Sequence, residues 1–101
     1  MSPNVEVNDN CPAKALLKVL SGKWKPEIFN MASHGPVRFN NLLKILTGSN
    51  RQSLTTALRE LEESGLLQRI VVQKKPLHVE YTLTSKGKDL LPVFEQLELL
   101  A

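Results

Sequence analysis

Residues 50–65, NRQSLTTALRELEESG, decide how the rest of the chain is read. Leu54, Ala57, Leu58 and Leu61 fall at i, i+3, i+4 and i+7, the spacing of one apolar stripe on a helix. Arg51 and Ser53 stand at the helix start, and Gln52, Thr55, Thr56 and Arg59 make a polar face opposite the stripe. Asn50 suits the N-cap and Gly65 suits the residue just past the end. The first ten residues of the stretch hold two arginines and no carboxylate; Glu60, Glu62 and Glu63 come only afterwards. A helix start normally favours acids, because its free N–H groups carry partial positive charge. Leaving them out keeps that end open to an external anion such as phosphate.

Working back from Asn50, residues 47–50 (TGSN) read as a short polar turn. Before it, residues 41–46 (NLLKIL) predict a helix with Leu42, Leu43, Ile45 and Leu46 as its apolar side, capped by Asn40 or Asn41. Residues 37–39 predict a very short strand, set off by Gly35 and Pro36. A helix from about Pro26 to His34 presents Ile28, Phe29, Met31 and Ala32. The first helix covers residues 11–20 (CPAKALLKVL), with Pro12 at its first position and Gly22 as its stop.

Beyond Gly65 the period changes from 3.6 to 2. Residues 66–73 (LLQRIVVQ) are rich in β-branched side chains, and residues 78–84 (HVEYTLT) alternate strictly. Val79, Tyr81 and Leu83 fall on one face, with Tyr81 read as packing. Pro76 marks the turn, so the pair predicts a hairpin with Lys74 and Lys75 at its tip. Thr84 then caps a last helix whose Leu90, Val93, Phe94, Leu97 and Leu100 form an apolar stripe.

The predicted class is therefore mainly α with a small β-hairpin. Two helices joined by a tight turn, followed at once by a hairpin, define a winged helix-turn-helix. In such a unit the second helix of the pair enters the DNA major groove front end first. Arg51 and Arg59 are suited to guanine or phosphate, Gln52 to adenine, and Thr55 and Thr56 to phosphate or a thymine methyl, with Ser53 a further DNA-binding candidate. Lys74 and Lys75 suit the backbone or minor groove.

Composition is consistent with this. The 101 residues, 42% hydrophobic and 23% charged, make one small globular domain. Residues 1–10 are expected to be a polar tail and residues 11–101 the folded domain. Net charge is +3, but it is unevenly spread: residues 11–59 carry eight bases against Glu27 alone, while both flanks are net acidic. Such polarisation suits a polyanionic partner. No signal peptide and no membrane-length apolar run are visible, and a single cysteine suits a reducing compartment, so the expected location is the cytoplasm.

Apolar stripes on the first and last helices exceed what so small a domain buries alone, so the two are expected to form a dimer interface. A two-fold pair would set its reading helices ~34–36 Å apart, one DNA turn.

Longer pieces of the chain carry a resemblance: CP at 11–12, LLKVLSGKWKPEIF at 16–29, GPVRFNNL at 35–42, LTTALRELEESGLLQR at 54–69 and PLHVEYTLTSKGKDLLPVF at 76–94. In order and spacing these resemble the HxlR family of bacterial and archaeal transcription regulators. The resemblance implies a winged helix-turn-helix that dimerises through its first and last helices and binds a pseudo-palindromic operator; the function expected of the chain is transcription regulation, with repression favoured over activation. Ser49 departs from it, since the family often has an apolar residue at that point of the turn.

Cys11 stands at a helix start with Lys14 one turn away, a setting that raises the thiolate fraction. Some relatives of this kind use such a cysteine to sense oxidants or electrophiles, which makes Cys11 the regulatory candidate. No catalytic, cofactor or metal-ligand motif is present: His34 and His78 are isolated, and SGK at 21–23 lacks the rest of a phosphate loop. Trp24 reads as core. The alternative to a DNA-binding regulator is a winged-helix module whose polar helix face docks a protein.

Overall fold

The computed structural model describes residues 12–100. Five helices and one hairpin follow in the order α1 (Pro12–Val19), α2 (Trp24–Ala32), α3 (Phe39–Ile45), α4 (Arg51–Glu63), β1 (Leu67–Lys74), β2 (Leu77–Leu83) and α5 (Ser85–Leu100).

The core forms where the apolar stripes of α2, α3 and α4 meet. Ile28, Phe29, Leu42, Leu54 and Leu61 are fully buried there, with Ala57 and Leu58 nearly so. Leu66 and Leu67 close it from the start of the hairpin, and Phe94 of α5 inserts edge-on against Phe29, ring centroids 5.0 Å apart. Such a T-shaped pair contributes ~0.5–1.5 kcal/mol beyond the area it buries. It is the contact that fixes α5 to α2.

Two helix starts differ from expectation. α2 begins at Trp24 rather than Pro26. Proline is tolerated anywhere in a first turn, where N–H groups have no helical acceptor, so Pro26 marks the turn and not its first residue. α3 begins at Phe39, with Arg38 as an extended N-cap residue that offers no side-chain cap, and Asn40 and Asn41 lie inside the first turn. The strand expected at residues 37–39 reduces to Val37. It exchanges two backbone hydrogen bonds with Tyr81, of 2.9 and 2.8 Å, before the chain turns into α3. Ile45, expected on the apolar side of α3, is exposed.

α4 ends as its sequence predicts. Gly65 takes φ +82°, Leu66 N–H donates to Leu61 O at 3.0 Å and Gly65 N–H to Glu62 O at 3.0 Å, a complete Schellman closure. Lys86 of α5 adds its ammonium to Ser64 O at 2.9 Å. Thr84 caps α5 by accepting from Gly87 N–H at 3.0 Å, and its hydroxyl donates to Gly65 O. One residue thus joins the end of α4 to the start of α5.

The hairpin is antiparallel, pairing Leu67 with Leu83 through Val71 with Val79, then Gln73 with His78. The register slips by one at Val72, which is bulged. On the outer part of β2, His78 Nε2 lies 3.1 Å from Glu80 Oε2. Tyr81 packs on the core as expected, together with Leu83; Val79 of the same face does not join it, and His78, Glu80 and Thr82 opposite are part-buried as well, so burial along β2 does not alternate.

α5 runs on through Pro92, and beyond Leu91 only Phe94 turns inward. Val93 is 54% and Leu97 44% exposed, as is Leu17 of α1 at 62%. Among the described residues no helix is long and apolar enough to cross a membrane.

Candidate nucleic-acid interface

The surface is built on the turn between α3 and α4. Gly48 takes φ +91°, a conformation that side chains with a Cβ rarely adopt. Ser49 donates its hydroxyl to Leu46 O at 2.6 Å, so the polar residue in the turn closes the end of α3. Asn50 then caps α4 reciprocally. Its Oδ1 accepts from Ser53 N–H at 2.8 Å, and Ser53 Oγ accepts from Asn50 N–H at 3.0 Å. The Ser53 hydroxyl proton goes to Asn50 O at 3.0 Å. Ser53 therefore spends its polar groups on holding the helix front in shape.

With Leu54, Ala57, Leu58 and Leu61 buried, the remaining side chains of α4 divide between two ridges. Arg51, Thr55 and Arg59 stand exposed at i, i+4 and i+8. Gln52 and Thr56 follow the adjacent ridge, which faces the turn between α1 and α2. No acid occupies the first turn. The Arg51 guanidinium sits over the Phe39 ring, 5.7 Å from its centroid, which orders a long side chain and keeps its charge outward. Glu60 is ion-paired with Lys25 at 3.0 Å, and Glu62 and Glu63 lie exposed at the far end of the helix.

Lys74 ends β1 and Lys75 begins the turn, both exposed. Gln73 Nε2 donates to Lys75 O at 2.7 Å and braces the tip. Leu77 and Val79 of β2 border a small cleft with Arg38, Phe39 and Asn40, so the hairpin leans over the start of α3. Lys23 and Arg38 are cations beside this surface to which the sequence reading gave no role. Trp24 is half-buried against the core, with the Lys23 ammonium 4.8 Å from its ring centroid. Cys11 lies outside the described residues. Among those described, no group of histidine, cysteine or acidic side chains is arranged to hold a metal ion.

A helix-turn-helix whose second helix is capped and free of acids in its first turn, with a basic-tipped hairpin after it, defines a winged helix-turn-helix protein of the DNA-binding class. The family described as HxlR-like helix-turn-helix matches residues 19–101. The chain is 38% identical over 96 residues to the HTH-type transcriptional regulator YybR of Bacillus subtilis, spanning 95% of this chain and 74% of that protein. Its fold is similar to that of the redox regulator HypR in its reduced form, with a TM-score of 0.81 at 38% identity over 87% of each chain. It is similar also to the reduced form of the transcriptional regulator YodB from B. subtilis, with a TM-score of 0.78 at 30% identity over 88% of each chain. HypR has also been solved oxidised, and YodB treated with diamide. The chain belongs to the HxlR-like helix-turn-helix family of transcriptional regulators.

Proposed function

We propose that this protein is a dimeric, sequence-specific repressor acting in the cytoplasm on a pseudo-palindromic operator, and that Cys11 makes its DNA binding responsive to oxidants or electrophiles. The observation that carries the DNA reading is the exposed face of α4: a reciprocally capped start with no carboxylate in its first turn, Arg51 exposed there and Arg59 exposed two turns on. Arg51, Gln52, Thr55, Thr56 and Arg59 meet base edges and flanking phosphates, Ser53 holds the front of the helix, and Lys74 and Lys75 take the backbone beside it. Dimerisation is supported by the exposed apolar side chains of α1 and α5, among them Leu17, Val93 and Leu97. The redox reading is supported by the similarity to HypR and YodB and by the sequence setting of Cys11, whose thiolate would form an intersubunit disulfide or an adduct.

The test is binding to duplexes selected by the wild-type protein, titrated against salt. Six to ten phosphate contacts per dimer give a log–log slope of roughly −5 to −9. A flat slope with negligible affinity would assign the polar face to a protein partner instead. Binding is then repeated after diamide or a quinone, with the expectation that wild type releases DNA and Cys11→Ser does not. An equal response of both proteins would remove Cys11 from the account.

A further inference from the structure

A second cationic feature borders the α4 surface, on the side away from the hairpin. A cleft of about 400 Å³ separates the α1–α2 turn, with Ser21 and Lys23, and Lys25 in the first turn of α2 from the Gln52–Thr56 ridge of α4. Lys23 is held in place by its neighbours. Its ammonium lies over Trp24, and it also reaches the turn before α4, since a Cβ at Gly48 would sit 3.8 Å from Nζ. Among the described residues no carboxylate pairs with it.

Glu60, at the far end of the same cleft, would repel an anion there. Lys25 meets that charge at 3.0 Å and also donates to Lys18 O at 3.4 Å. With Glu60 neutralised locally, the cleft presents one uncompensated cation and the Thr56 hydroxyl.

A helix lying in the major groove has a phosphate strand on each flank. The hairpin reaches one flank, and this cleft opens on the other. We propose that the cleft seats one backbone phosphate of the bound duplex per protomer, with Lys23 as its cation, Thr56 as its hydroxyl donor, and Lys25 as the positioning residue that masks Glu60. This rests on the DNA-binding reading and adds a contact to it.

The test uses the full chain and two duplexes, one selected by wild type and one of random sequence. Lys23→Gln should weaken binding to both by the same factor. It should also flatten the salt slope by about 2 per dimer, so that the gap from wild type narrows roughly tenfold between 50 and 200 mM salt. Lys25→Met should weaken binding to both duplexes, and adding Glu60→Gln should restore it. Glu60→Gln alone should bind both at least as tightly as wild type, which tests the masking even if Lys25→Met proves poorly folded.

A Lys23→Gln protein that retains its circular dichroism and the wild-type salt slope would overturn the proposal. So would a loss confined to the selected duplex. Thermal stabilisation of wild type, but not of Lys23→Gln, by millimolar inorganic phosphate would reassign the cleft to a free anion. If wild type bound neither duplex, the DNA reading itself would fall, an outcome distinct from all of these.

Discussion

On the proposed DNA-binding reading, single side chains on α4 divide into those that read and those that hold. Gln52 and Arg59 are exposed and unobstructed, so Gln52→Ala or Arg59→Ala should cost ~1–3 kcal/mol on the selected operator and little on random DNA. Lys75→Ala should weaken both alike; competition assays with the two duplexes separate these outcomes. Asn50 holds. Removing its carboxamide leaves the front of α4 without its acceptor, so Asn50→Ala should lower stability by ~1 kcal/mol, read as a shifted urea midpoint with an unchanged slope.

Much of this was legible at the level of the residue. Asn50 and Gly65 announce a start and a stop because cap and C′ positions have narrow steric and hydrogen-bond requirements. The closing of the box by Ser53 was not read, because a serine at the third helical position is compatible with several hydrogen-bond partners. The Lys23–Trp24–Gly48 and Lys25–Glu60 contacts were invisible for another reason. Gly48 lies 25 and 24 positions from Lys23 and Trp24, and Glu60 lies 35 from Lys25, and no local pattern encodes which elements will lie side by side.

At the scale of elements, periodicity found each helix of the described residues and the hairpin but misplaced edges. Pro26 and Asn40 are residues that belong to helix starts in general, and a first turn accepts them at more than one position. The short strand shrank to Val37 because one bridge to Tyr81 is all the geometry allows before α3 begins. The packing of α5 on the hairpin depends on a residue that periodicity ignores. A Cβ at Gly87 would lie 2.5 Å from Leu66 O and 3.2 Å from Leu83 Cδ2. The nearest of these is main chain and cannot rotate away. Gly87→Ala should therefore destabilise the fold by ~1–3 kcal/mol despite the better helix propensity of alanine, seen as a lower melting temperature.

For the whole molecule, the main question is what covers the outer faces of α1 and α5. Leu17, Val93 and Leu97 stand exposed there, although Phe94 on the same α5 is buried against Phe29. Leu97→Asp, placing a charge on that face, should shift sedimentation from dimer to monomer and lower operator affinity far more than affinity for a half-site. A dimer that persists unchanged would move the interface elsewhere. The apolar stripes of these helices were legible in the sequence; the symmetry that would join two copies was not, because it is a property of two chains.

The slipped register at Val72 has a consequence beyond the hairpin itself. β1 offers solvent a row of unpaired amides and carbonyls beside exposed Ile70, Val71 and Val72, the kind of border that invites strands from other molecules to join. One extra residue puts that row out of step, and Arg69 and Lys74 bracket it with like charge. The arm proposed to lie along a polyanion is thereby made a poor template for its own kind to join as fibrous stacks.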